Sequence, residues 1–304
     1  MADKMSTAML IAERVYALTS EQNDAALTIG AYRALSRTLL LLGDFESARH
    51  YASRGVQIWR LGGVQSYAED PDTPVVACLC YNAFCEWHLG EIPSAQANLY
   101  GGISLAKELK DMYGLALALS WAAIFAQLEH NPSEVERLAS DLIELSTRHH
   151  FLYWLAVGAI HRGWARSAFG DTAEGILQIE HGIRDFRASG TVTGLPFWLA
   201  VKAEALHLGD RTLEALEAIN DAEAVAERFE QRYWLAELHR LRGVLLAALG
   251  AEEAQIEASF CEAIRIAKGQ KSVSLEKRAE ATYTVYRRQK ASASGGRGFR
   301  LPLW

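Results

Sequence analysis

The chain has 304 residues, half of them apolar and 22% charged, with a formal net charge of −6. That balance excludes a disordered polyelectrolyte and leaves enough apolar surface for a substantial core. Only six prolines stand against many alanines and leucines, which favours helices over strands, and four cysteines speak against a disulfide scaffold.

At the start, Met1 to Arg14 has neither the basic region nor the unbroken apolar run of a secretory signal. No stretch reaches the ~20 continuous apolar residues of a membrane helix, so the expected location is the cytoplasm. Ala8 to Leu18 reads as the second helix of a hairpin whose first helix is missing, as in a chain cut from a longer protein or in one whose leading helix is a solubilising cap. From there one phrase returns: a long apolar helix, a Leu-Gly-type turn and an amphipathic helix. The turns are Leu42-Gly43-Asp44, Leu89-Gly90-Glu91, the degenerate Glu129-His130-Asn131, Phe169-Gly170-Asp171, Leu208-Gly209-Asp210 and Leu249-Gly250. Their spacings are 47, 40, 40, 39 and 41 residues. A period near forty predicts an array of helical hairpins.

Small residues recur in the same register. Seven positions before the turns stand Ser36, Ala83, Ala123, Gly163 and Gly243, with Lys202 as the exception; five after the first four turns stand Ala48, Ala95, Val135 and Gly175, and twelve after stand Gly55, Gly102, Leu142 and Gly182. Antiparallel helices approach closely only where side chains are small, so these glycines predict tight contacts. Gly43, Gly90, Gly170 and Gly209 are expected at hairpin bends in left-handed geometry.

This pattern resembles an elongated tetratricopeptide repeat. The phrases Ala236-Glu237-Leu238-His239-Arg240-Leu241-Arg242-Gly243 and Ser274-Leu275-Glu276-Lys277-Arg278-Ala279 further resemble the C-terminal arrays of bacterial ATPase and class III nucleotide cyclase regulators. More distantly, they are similar to the sensor region of the maltose-regulon activator. The resemblance runs from about Ala12 to about Arg288 and implies an all-α, right-handed α-α superhelical solenoid of about six hairpins. Residues 1–290 would form the repeat domain and 291–304 a flexible basic and apolar tail. The chain has no phosphate loop and no cyclase core, so nucleotide chemistry does not carry over.

Catalytic signatures are missing as well: there is no His-Glu-x-x-His helix, no Gly-x-Ser-x-Gly elbow and no dinucleotide fingerprint. No catalytic residue, cofactor or metal is assigned. Cys78 and Cys85 share a helix face but Cys80 points elsewhere, which predicts core residues and not a zinc site. His149-His150 reads as a solvated pair between hairpins. Glu69-Asp70-Pro71-Asp72 belongs to a long loop in which Asp72 or Thr73 would cap the next helix; the loop itself is a candidate binding appendage. Trp121, Trp154, Trp198 and Trp234, early in first helices, are expected to pack one hairpin on the next.

The repeat register places Arg33, Arg37, Trp87, His88, Trp164, His207, Glu237 and Arg240 on or near the concave face. Arg33 and Arg37, four residues apart, could hold an anionic group, and Trp87 and Trp164 suit inter-repeat packing first and an apolar ligand wall second. Glu237 and Arg240 could equally pair with each other. The expected function is a regulatory or protein-interaction module, with a protein, a peptide or a small effector in the groove. The alternative is a dedicated small-molecule sensor, and self-association is a further possibility. Between Arg265 and Arg300 ten basic residues face only Glu276 and Glu280, but without a stacking motif this reads as solvated surface and disfavours nucleic acid as a partner. Phe299 to Trp304 concentrates apolar surface and is expected to dock on the last hairpin.

Overall fold

A computed structural model of the chain describes residues 4–22, 24–62, 73–292 and 301–303. The long loop at Glu69-Asp70-Pro71-Asp72, the tail stretch 293–300 and Trp304 lie outside the described residues. Every regular element among those described is an α-helix. A leading helix, α1 (Met5–Gln22), is followed by six hairpins: α2 (Ala25–Leu42) with α3 (Phe45–Gly62), α4 (Pro74–His88) with α5 (Ile92–Glu108), α6 (Met112–Leu128) with α7 (Pro132–His149), α8 (Leu152–Ala168) with α9 (Thr172–Ala188), α10 (Leu195–Leu208) with α11 (Thr212–Phe229), and α12 (Leu235–Ala248) with α13 (Glu253–Gly269). A final helix, α14 (Val273–Ser292), packs on α12 and α13.

The hairpins stack as a right-handed α-α superhelix in which the two helices of each hairpin bury different amounts of surface. First helices touch the first helices of the next hairpin, from α2 on α4 through to α12 on α14, while second helices lean on first helices from outside. The sequences match these roles. All fifteen residues of α4 are buried, whereas α7 buries only Val135, Leu138, Ala139, Leu142 and Ser146, one stripe at helical spacing. Each fully buried leucine or phenylalanine on such a stripe contributes about 1.5–3 kcal/mol. α2 is the one described helix long and apolar enough to cross a membrane by length and composition, and half of it is buried within the protein.

Turn and contact glycines divide into kinds. Gly43, Gly90 and Gly170 have φ of 85°, 84° and 98°, the left-handed geometry that suits glycine. After α2, the Gly43 N–H donates to Leu40 O and the Asp44 N–H to Leu39 O, closing the helix end. Gly209 departs from expectation: its φ is −87°, and the next residue, Asp210, takes the left-handed position at 58°. An aspartate tolerates that conformation better than most side chains do. Gly163 and Gly175 are contact glycines. A Cβ on Gly163 would lie 2.6 Å from Gly175 O, so α8 and α9 touch backbone to backbone. Lys202, the odd residue of that register, is partly exposed and pairs with Glu180 at 2.9 Å.

The superhelix closes on itself. The Arg232 and Tyr233 N–H groups donate to Leu41 O at 2.7 and 3.2 Å, joining the α11–α12 connection to the end of α2. Gln270 Nε2 donates to Arg232 O at 2.8 Å, and Ser274 Oγ donates to Trp87 O. His88 Nδ1 lies 2.7 Å from Ser272 Oγ, and Lys271 pairs with Glu46. At the leading helix the Ser6 N–H donates to Glu230 Oε2 at 2.8 Å. The first two hairpins therefore meet the last two, and the concave face becomes the wall of an axial chamber.

Candidate functional site

Closure leaves a cavity of about 400 Å³ on the superhelix axis. Its wall comes from α2 (Arg33, Arg37, Leu40, Leu41), α4 (Tyr81, Phe84), α6 (Tyr113, Leu117, Ser120, Trp121, Ile124), α8 (Tyr153, Trp154) and α10 (Phe197, Trp198). The α9–α10 connection adds Ser189, Thr191, Thr193 and Gly194, and Tyr233 comes from the closure point. Residues late in α2 and α4, along α6, and early in α8 and α10 converge there. The rings brace one another: Phe84 and Trp121 lie 4.9 Å apart, Tyr153 and Trp154 4.7 Å, and Tyr113 and Trp154 5.7 Å.

Among the described residues the charge in this wall has one sign: Arg33 and Arg37 lie one turn apart on α2, and no described aspartate or glutamate belongs to the lining. Burial, tempered by the nearby Arg37, pushes the Tyr153 phenol up to about 12, so that ring remains a neutral hydrogen-bond donor at physiological pH. The Trp154 indole N–H is buried and has no hydrogen-bond partner among the described residues. Behind the wall, His161 Nε2 lies 3.4 Å from Ser120 Oγ and its ring meets Trp198 edge to face at 5.2 Å. Burial lowers its pKa to about 3, leaving it neutral.

Of the eight sequence-derived groove residues, the structure brings only Arg33 and Arg37 into the chamber lining. Trp87, His88, Trp164, Glu237 and Arg240 are buried between helices. His88 stacks on Phe45 with ring centroids 3.7 Å apart and serves the closure contact. His207 caps locally, Nδ1 lying 3.0 Å from Thr212 Oγ1. Trp164 Nε1 donates to Glu204 Oε2 at 2.7 Å. Glu237 and Arg240 pair with each other at 2.7 and 2.9 Å, and Arg278 Nε lies 3.1 Å from Glu237 Oε1. Burial works against the Glu237 carboxylate, yet Arg240 and Arg278 hold its pKa below the ordinary value. At Glu204 burial prevails and raises it.

Conversely, Trp121, Trp154 and Trp198, expected purely as hairpin packing, line the chamber. A signal for Trp154 and Trp198 was present in the aromatic doublets Tyr153-Trp154, Phe197-Trp198 and Tyr233-Trp234, which recur as first helices begin. Cys78, Cys80 and Cys85 are buried; Cys78 Sγ fills the space over Gly55 and Cys80 Sγ that over Gly102. His150 forms a left-handed helix cap with φ 56°, and His149 stacks on Phe151. Thr73 precedes α4 but makes no side-chain cap; instead its N–H donates to Asp111 Oδ2 at 2.7 Å.

Fold and chamber together define a closed helical-repeat superhelix. No family model matches the chain. Over 193 residues, 64% of this chain, it is 26% identical to an uncharacterized protein of Rhizobium meliloti (strain 1021), and the match spans only 19% of that protein's length. Among solved structures it is similar to Bacillus thuringiensis PlcR, determined in complex with the peptide PapR7 and DNA, with a TM-score of 0.51 and 16% identity. That likeness covers 91% of this chain and 99% of PlcR. At such identity it is a likeness of fold.

Proposed function

We propose that the chain is a non-catalytic, cytoplasmic sensing module of a larger bacterial regulatory protein, and that its axial chamber holds a small anionic effector with an aromatic or apolar body. One observation carries this reading: two arginines on one face of α2 stand in a wall whose other described residues are aromatic, aliphatic or hydroxyl-bearing. Arginine binds carboxylate or phosphate through paired N–H donors, and stacked rings accept a flat or apolar body. A cavity of about 400 Å³ is within the range of small-molecule sites.

The resemblance to the arrays of cyclase regulators and to the maltose-activator sensor supports a regulatory setting, and a relative of which the match spans only 19% supports a place within a larger protein. PlcR, whose structure contains a peptide, keeps a short peptide with a free carboxylate within the effector class. A module that binds a whole protein partner along an open groove fits less well, since closure converts the groove into a chamber.

The test is a thermal-shift screen of carboxylate- and phosphate-bearing aromatic compounds and short peptides against the full chain. The expected hit raises Tm, and its affinity falls by about tenfold or more in Arg33→Ala/Arg37→Ala, each lost charged hydrogen bond costing roughly 1.5–3 kcal/mol. Helicity by circular dichroism should be unchanged. Equal binding to the double variant, or hits confined to cationic or neutral compounds, would sink the proposal.

A further inference from the structure

We propose that the inner side of α12 and α14 is a second binding site, for an extended peptide with apolar side chains at alternate positions, and that the chain's own residues 301–303 occupy it. Leu301 and Leu303 are buried in the main core while Pro302 between them is exposed. In, out, in is the alternation of an extended strand. It marks two side-chain pockets separated by one residue.

The backbone is held by a group that exists before the peptide arrives. Arg240 is completely buried, and Glu237 grips its guanidinium through Nε at 2.9 Å and Nη2 at 2.7 Å, while Nη1 donates to Thr282 Oγ1 at 3.2 Å. The remaining direction of Nη2 donates to the Leu303 carbonyl. A main-chain carbonyl is common to every peptide, so this bond recognises backbone and leaves selection to the two apolar pockets. Removing the segment would take from this ion-paired cation its main-chain acceptor, a place that another carbonyl can fill. None of these residues lines the axial chamber, so the two sites are distinct. The occupant at rest is the chain's own segment, and a peptide bearing the same Leu-x-Leu pattern competes for it.

The experiment inserts a protease recognition sequence between Ser292 and Phe299 of the full chain, cleaves the folded protein, and adds an excess of labelled peptide Phe-Arg-Leu-Pro-Leu-Trp. Native mass spectrometry follows occupancy. One labelled peptide per chain should replace the cleaved segment, and a peptide carrying Leu301→Asn and Leu303→Asn, of the same charge, should bind about tenfold or more weakly. Equal uptake of both peptides overturns the proposal. So does failure of uptake, whether the cleaved body stays helical or loses its helicity, since the segment would then be no more than a fixed part of the core.

Discussion

His161 shows how a single buried side chain couples this fold to pH. Its ring is fully buried, with Nδ1 unpartnered among the described residues and Nε2 at 3.4 Å from Ser120 Oγ, so nothing nearby stabilises a proton. The folded pKa of about 3 lies below the ordinary 6.5 because burial disfavours the charged ring. The unfolded chain therefore binds the proton first. Stability from keeping this ring neutral is complete above pH 6.5 and is lost as pH falls from there toward 3. Between pH 7 and pH 5 the loss from His161 alone should be about 2 kcal/mol. Urea unfolding of the chain and of His161→Phe at both pH values checks this. The variant should lose about 2 kcal/mol less on acidification, and identical losses would show that the imidazole does not titrate as its burial requires. The pairing of Glu237 with Arg240 and Arg278 is a different solution to burial, in which opposite charges in contact replace water.

At the scale of elements, the closest approach is that of α8 and α9. With Gly163 and Gly175 facing each other, a methyl group on Gly163 would meet Gly175 O at 2.6 Å and Ile179 Cγ1 at 2.7 Å. Backbone cannot retreat as a flexible side chain can, so Gly163→Ala should destabilise by roughly 1–3 kcal/mol despite alanine's better helix propensity. Gly30 in α2 is the control, since no described residue lies within 4 Å of a Cβ placed there. Gly30→Ala should stabilise by about 0.5–1 kcal/mol through propensity alone. Chemical denaturation of the two variants should give opposite signs; the same sign in both would mean that the glycine register reflects helix propensity and not packing.

For the whole molecule, the decisive feature is the contact between the two ends of the superhelix. Ser272 is fully buried, and its hydroxyl is the partner of a His88 ring that burial keeps uncharged. Ser272→Ala leaves that buried nitrogen unsatisfied and should cost about 1–3 kcal/mol. Because the same closure carries the Arg232 and Tyr233 bonds to Leu41 O, hydrogen exchange at those two amides should accelerate in Ser272→Ala, although they lie in another connection. Amides inside α6 and α7 should be unaffected. Acceleration confined to residues next to position 272 would show that closure is not one cooperative unit.

Period, register and helix pairing were legible in the sequence because each is local. Leu-Gly turns near every fortieth residue mark where helices end, and small residues at fixed offsets mark where partners touch. The six hairpins and the leading half-hairpin follow from those signals. Arg33 and Arg37 were legible for the same reason, since four residues along one helix share a face at any superhelical pitch. Which aromatic rings reach the axis was decided only by tertiary structure. A forty-residue repeat fixes neither the tilt of first helices to the axis nor how soon the coil meets its own start. Those depend on side-chain volumes summed over six interfaces, and on contacts such as Arg232 to Leu41 and His88 to Ser272, between residues about 190 positions apart. Hence Trp87, His88 and Trp164 passed into buried contacts while Trp121, Trp154 and Trp198 became the chamber wall. Periodicity specifies neighbours; closure, a sum over all of them, specifies the site.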